Sequence, residues 1–348
     1  MEVQSFGGIK NNKDIITIII KNTMMKLFQN IFLTLLFIVV CSSCEDWNTP
    51  ENIKIQDMEN NSGLHEKTPE YWENIRAYKR SEHQLAFGWF GYWDGGTSAF
   101  TRGSLASAPD SVDIFSVFGK YYYNLTERQI EDLRYVQNVK GSKVVFTFMM
   151  QNVGLGFEQS PEGVVKYAHA LCDSVYKYGY DGIDLDYEPN YGGGGYFSSK
   201  EEVKRFVMEL GKRLGPMSGT DKILILDGEV DFILPEIVPY FNLAISQAYY
   251  ASSFSNLNAK WNKAKTLGWK PEQFLVCEEF QRYASTGGVD FKMPSGEIVP
   301  SLIGMAHWHP AEGRKGGCGT FHMELDYNNY PDYKYMRQAI QIMNPAVK

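Results

Sequence analysis

Cysteine is scarce. Five cysteines in 348 residues, with no CxxC…CxxC spacing, argue against a structural zinc site and against a fold stapled by disulfides. Whether Cys277 and Cys318 meet in space the sequence leaves open. Runs of Lys and Arg are missing, and 34 basic against 41 acidic residues leave a net charge of −7. With no basic patch in view, nucleic acid is not an expected partner. A membrane-spanning helix needs ~20 apolar residues, and the leading apolar run, "LFQNIFLTLLFIVV" at 27–40, has 14. The glycine run in "GGGGYFSSK" (192–200) lacks the GK[ST] of a phosphate loop. "HWH" at 307–309 has no nearby acidic partner and reads as packing or surface residues rather than metal ligands. No cofactor and no metal are expected.

What is abundant is aromatic. The 22 Tyr and 7 Trp pair large apolar faces with polar handles, which suits stacking on carbohydrate. A large β-rich core uses the same residues, and composition alone favours that plainer explanation.

The first 66 residues read as an address followed by a tether. Lys26, the 14-residue apolar run and the small residues Ser42 and Ser43 before Cys44 have the order of a secretory signal. The pattern resembles a bacterial lipoprotein signal over 24–43, with Cys44 as the lipidated first residue. Cys41 departs from the usual Leu of that motif. Glu45 and Asp46 resemble the acidic export signals of surface lipoproteins. The expected location is therefore the cell surface, on the outer membrane, through a lipid anchor. Residues 1–23 read as a mis-assigned start. Residues 44–66 are polar and read as a flexible tether.

From residue 67 the chain alternates. Short apolar runs at 84–92, 111–119, 142–150, 182–188, 222–228, 243–250, 273–280 and 318–325 predict eight strands. Helix signals lie between them. Thr68 precedes Pro69, Thr126 precedes Gln129 by three, and Ser160–Pro161 opens a periodic run that ends at Gly179. Strands that are apolar on both faces and alternate with helices predict a parallel sheet. Eight such units over 67–348 predict an α/β fold of the (β/α)8 TIM barrel kind, forming one catalytic domain. A single copy of the chain is the expected state.

The fourth run, "YDGIDLDYEP" (180–189), is acidic where a core belongs. Residues two apart share a strand face, so Asp184, Asp186 and Glu188 point into the barrel while Ile183, Leu185 and Tyr187 pack outward. Asp181 has the other parity or sits at the strand's entrance. Pro189 ends the strand and leaves Glu188 at the C-terminal mouth, where barrels keep their chemistry. Buried carboxyls are costly unless they share protons or hydrogen bonds, so an accidental row is unattractive. A metal site would need a second strand to converge, since one strand spreads its oxygens over about 13 Å. Acid catalysis fits better: repulsion from Asp186 would keep Glu188 protonated near neutral pH, with Asp184 sharing a proton with Asp186.

Asp181-Gly-Ile-Asp184-Leu-Asp186-Tyr-Glu188 resembles the DxxDxDxE signature of family 18 of the glycoside hydrolases, which contains chitinases and endo-β-N-acetylglucosaminidases on a (β/α)8 barrel. The resemblance covers the chain from about residue 68 to its end. It implies substrate-assisted retention, for which the usual two-carboxylate scheme has a stated exception. Glu188 would act as acid and then base, and Asp186 would orient the substrate's own 2-acetamido nucleophile. On the sixth strand, chitinases of the family carry Met-x-Tyr-Asp. Gln247-Ala-Tyr249 here resembles the endoglycosidases, with both side chains expected to reach the acetamido oxygen. The resemblance thus implies cleavage of the chitobiose core of N-linked glycans. A chitinase and a catalytically silent glycan-binding protein are the alternatives. Trp93, with Trp89 and Tyr92, is a candidate sugar platform. Asn152 and Asp227 are expected at the mouth, Glu324 in the last strand is a weaker candidate, and the glycine run is expected to form a rim that shapes the groove.

Overall fold

The computed structural model describes residues 21, 24–25, 67–96, 101–119, 124–191 and 195–345. The chain divides into two units, Met1–Glu66 and Lys67–Lys348. Of the first unit only Lys21, Met24 and Met25 are described, each helical and exposed. Cys44, the tether and the rest of the signal segment lie outside the described residues, as do Gly192–Gly194. No helix among the described residues is long and apolar enough to cross a membrane.

In the second unit the elements follow the predicted rhythm. They are α1 (Pro69–Arg80), β1 (Leu85–Phe90), β2 (Ile114–Phe118), α2 (Glu127–Tyr135), β3 (Lys143–Met149), α3 (Pro161–Tyr178), β4 (Gly182–Tyr187), α4 (Lys200–Leu210), β5 (Ile223–Gly228), β6 (Leu243–Gln247), α5 (Phe254–Ala264), β7 (Phe274–Glu279), α6 (Phe280–Tyr283), β8 (Asp290–Lys292), β9 (Ile298–Pro300), α7 (Ser301–His307), β10 (Gly317–Phe321) and α8 (Lys334–Met343). The strands close in the order β1-β10-β7-β6-β5-β4-β3-β2, all parallel, while β8 and β9 form a separate antiparallel pair. This is a (β/α)8 TIM barrel.

Local chemistry starts and stops the helices where the sequence signals them. The Thr68 hydroxyl accepts from Tyr71 N at α1. Thr126 and Gln129 close a capping box at α2. Ser160 caps α3, and Gly179 ends it in the left-handed conformation at φ +66°. Two crossovers depart from expectation. Among the described residues, the link from β1 to β2 holds only a 3-10 turn at Leu105–Ser107, and that from β5 to β6 a 3-10 segment at Pro235–Tyr240. In the second, Pro239 removes a donor that an α-helix would need.

Strand parity sorts the core into two clusters. Phe87, Ile114, Val145, Ile225, Ile245 and Leu275 fill the barrel interior. Ile183, Leu185 and Tyr187 join the larger layer between strands and helices. The interior is apolar near the N-terminal ends of the strands and becomes polar, through Ser116, Thr147 and Asp184, towards their C-terminal ends. Cys277 belongs to the inner cluster and Cys318 to the outer one. Their strands are neighbours, but Cys318 pairs in register with Val276 and Gly319 with Cys277, so the two thiols leave opposite faces and both remain free. On the N-terminal face, a cavity of about 510 Å³ brings together Arg76, Lys79, Arg80, Lys143 and Lys222. Arg76 and Arg80 pair with Glu73, and Asp181 lines the same cavity, so the cations that the fold gathers there are partly neutralised.

Candidate active site

Asp184 sits at the centre of β4 and is fully buried. Its Oδ2 accepts from Trp89 Nε1 at 2.8 Å, Ser116 Oγ at 2.9 Å and Thr147 Oγ1 at 3.0 Å. Three neighbouring strands thus supply donors to one oxygen. Its Oδ1 has no donor.

One step up the strand, Asp186 lies in register with Asp227 of β5. Gln247 Nε2 donates to both, at 3.1 Å to Asp186 Oδ1 and 2.9 Å to Asp227 Oδ1. Asp227 was expected at the mouth. It is instead a strand residue with no exposed surface, and it adds a fourth carboxyl to the row. The Asp181 carboxylate accepts from Val144 N at 2.8 Å and Gln137 Nε2 at 2.7 Å, so it fastens the strand's entrance and stands apart from the row.

Glu188 follows β4 directly and is half-buried where the row opens. The protonation logic differs from simple repulsion along the strand. Burial is the main force raising Glu188, and the charge of Glu229 adds to it, whereas hydrogen bonds from Gln247 and Asp186 act in the opposite sense. Repulsion falls on Asp186, which burial and the Glu188 charge push up to about 7. Burial and the charges of Asp184 and Asp186 hold Asp227 well above the carboxylate range. These protons belong to a coupled group rather than to single residues.

Two connected spaces meet at Glu188. An inner cavity of about 140 Å³ has Asp186, Asp227, Gln247 and Tyr249 on one side and Trp89 and Phe321 on the other. An outer cavity of about 400 Å³ shares Glu188, Gln247, Tyr249 and Phe321 and extends to Glu229, Tyr250 and Arg282. Tyr249 lies beside Phe321, the rings tilted by 31° with centroids 6.2 Å apart. Burial raises its hydroxyl well above the usual phenol range, so it is a neutral donor. Gln247 was expected to face the substrate; here its Nε2 donates to the Asp186 and Asp227 carboxylates. Among the described residues no group of three or more His, Cys, Asp or Glu is arranged to hold a metal ion.

The loops beside the site are cross-braced. Glu229 accepts from Asn190 N and Nδ2, both at 3.0 Å, which ties the segment after β4 to that after β5. Beyond the glycine run, Tyr187 donates to Phe197 O at 3.1 Å.

Three candidates lie elsewhere. Trp93 is 1% exposed, and its indole donates to Asp132 Oδ2 at 2.8 Å. It plugs the gap between the β1 loop and α2, so it is a core residue and not a sugar platform; of that aromatic cluster, Trp89 is the one that reaches the cavity. Asn152 is exposed, but its Oδ1 accepts from Tyr196 N at 2.9 Å. It therefore holds the end of the glycine loop beside a separate cavity of about 360 Å³. Glu324 lies beyond β10, in the 3-10 segment Met323–Asn328, where Oε1 accepts from Gly91 N and Tyr92 N and pairs with His322. Sequence reasoning missed Ser116, Thr147 and Glu229, and the burial of Asp227. Strand parity within a run was readable, but which strands would be neighbours at each level was not.

A parallel barrel with a row of proton-sharing carboxyls rising to an acid at its C-terminal mouth is the architecture of a glycoside-cleaving hydrolase. The chain belongs to glycoside hydrolase family 18: the sequence profile of that family's BT1044-like branch matches residues 48–163 and 156–342. A selenomethionine structure of BT1044 superposes with a TM-score of 0.73 at 32% identity, covering 80% of this chain and 94% of that one. Endo-β-N-acetylglucosaminidase F2 of Elizabethkingia meningoseptica is 27% identical over 296 residues, 78% of this chain and 85% of the relative. The structure of an endo-β-N-acetylglucosaminidase from Cordyceps militaris matches at 25% identity with a TM-score of 0.64, covering 80% of this chain and 97% of the other.

Proposed function

We propose that this hydrolase is an endo-β-N-acetylglucosaminidase that cuts between the two core N-acetylglucosamines of N-linked glycans by substrate-assisted retention. The observation that carries this reading is the inner cavity beneath Glu188. An acetamido group presents an N–H, a carbonyl oxygen and a methyl. Asp186 offers an acceptor for the first, the Tyr249 hydroxyl a donor for the second, and Trp89 and Phe321 an apolar wall for the third.

In the proposed sequence Glu188 gives its proton to the leaving glycosidic oxygen. The acetamido oxygen attacks the anomeric carbon, forming an oxazolinium whose N–H Asp186 stabilises as charge develops. Glu188, now a carboxylate, takes a proton from water, which opens the ring with net retention. The other acids on the outer cavity are already engaged. Glu229 braces Asn190, and Glu279 caps Arg282 N at 2.9 Å. This supports the substrate's own nucleophile over an enzymatic one. The relatives named above support the endoglycosidase branch.

The deciding experiment incubates the protein with a high-mannose glycoprotein, a complex-type glycoprotein and chitin oligomers, and weighs the products. Glycoproteins left with a single N-acetylglucosamine on Asn are expected. Intact glycoproteins beside cleaved chitin would overturn the reading in favour of a chitinase. Binding without any cleavage would mark a glycan-binding protein.

The proposal includes surface attachment through a lipid on Cys44. It is supported by the charged, apolar and small-residue order of residues 26–44. Metabolic labelling with a radioactive fatty acid should mark the wild-type chain and not Cys44→Ser; equal labelling of both would remove this part.

A further inference from the structure

We infer that Asp227 is a positioning residue of the hydrolytic site, whose carboxyl keeps a proton and shares it with Asp184 and Asp186, so that Asp186 can ionise beside the substrate. The inference rests on the reading that Asp186 and Glu188 carry the chemistry. It adds a member from a different strand to the acidic row of β4.

Donor counting carries the argument. The buried row offers Asp184 three donors, all on Oδ2. Asp186 and Asp227 share the two protons of one amide, Gln247 Nε2. Two fully buried oxygens, Asp184 Oδ1 and Asp227 Oδ2, then have no donor. The carboxyls themselves lie within hydrogen-bonding reach, Asp227 with Asp184 and with Asp186. A carboxylate pair in contact, with one oxygen of each undonated and no solvent exposure, is not tolerated unless a proton lies between them.

The proton's place follows from what surrounds each group. Burial raises Asp184, and its three donors on one oxygen work against that in favour of the anion. Asp186 is nearest the open end. Asp227 has no exposed surface, one donor, and acids on the adjacent strand. Facing it are Asp184 and Asp186 from β4, Gln247 from β6, Tyr249 just beyond that strand and the Cys277 thiol from β7; none is a cation. The single Gln247 donor is outweighed by burial and by the two acids of β4, so Asp227 stays neutral. The Asp227 O–H can be aimed at Asp184 Oδ1 or at the Asp186 carboxyl. No proton leaves Asp227 at any stage; only its acceptor changes.

Asparagine is the isostere of this role: its oxygen can accept from Gln247 while its NH₂ donates to Asp184 or Asp186. Asp227→Asn should keep kcat/KM within about tenfold of wild type and leave the acidic limb of its pH profile in place. Asp227→Ala removes the donor, so Asp186 should hold its own proton more tightly. The acidic limb, which needs Asp186 ionised, should move to higher pH and kcat should fall by about a hundredfold or more. A purely structural residue would lower kcat without moving the limb. Equal profiles for the two variants, or an unmoved limb in Asp227→Ala, would overturn the inference.

Infrared spectroscopy of the unliganded protein decides the matter separately from activity. At pH 9, above the value of about 7 to which Asp186 is held, the wild type should show the C=O stretch of a buried protonated carboxyl, and Asp227→Asn should lose it. Absence of the band in the wild type, or its survival in Asp227→Asn, would overturn the inference even if glycan cleavage is confirmed. The expected spectra would support it even if the substrate proved to be another. Asparagine changes no volume, so this arm holds if the alanine variant fails to fold.

Discussion

At the scale of single residues, the site is organised by how each carboxyl is covered rather than by the spacing of the motif alone. Glu188 owes its proton chiefly to burial and next to the Glu229 charge. Two expectations follow. Glu188→Gln should lower turnover by about 10²–10⁴-fold, the usual worth of a general acid, while glycan affinity persists; steady-state kinetics beside calorimetric titration checks both halves. Glu229→Gln should take away one of the influences that raise Glu188. A general acid works while protonated, so a lower proton affinity at Glu188 moves the basic limb of the kcat/KM profile to lower pH. A limb that stays put or moves up would show that the Glu229 charge is not felt at the acid.

At the scale of elements, β4 and β5 act as one catalytic unit. Register sets Asp186 beside Asp227, and the end of β5 must let the chain pass close to Glu188. Gly228 makes this passage at φ +90°, where a Cβ would lie 2.5 Å from Tyr187 O and 3.1 Å from Glu188 Cγ. Gly228→Ala therefore meets both a disfavoured backbone region and the backbone of β4. A loss of about 1–3 kcal/mol is expected from the strained conformation, visible as a lower urea midpoint, together with reduced kcat because Glu188 is displaced. An unchanged midpoint with full activity would mean that the two strand ends separate freely.

At the scale of the whole molecule, the acidic row trades stability for function, and its sign with pH can be stated. Asp186 holds its proton up to about 7 in the folded barrel, against about 3.9 for an unfolded aspartate. A raised folded value contributes stability that is fully present below about pH 4 and is lost as pH rises through about 7. Asp186→Asn removes this dependence. Its melting temperature should therefore exceed that of the wild type by more at pH 8 than at pH 5, and scanning calorimetry at the two values is the check. The order of elements was legible along the chain because its causes are local: Thr68, Thr126 and Ser160 cap helices through neighbours three residues on, and side chains alternate across a strand whatever its partners. The inward row of Asp184, Asp186 and Glu188 needed nothing further. Other features depended on register and closure, which no single segment contains. These placed Trp93 in the core, turned Cys277 and Cys318 to opposite faces, buried Asp227 beside Asp186 and pointed the Gln247 amide at both. The sequence by itself determined the barrel's rhythm and the acid at its mouth, through interactions a few residues long. Only the closed barrel decided which carboxyl keeps the buried proton, because proton affinity is set by burial and by charges brought from other strands.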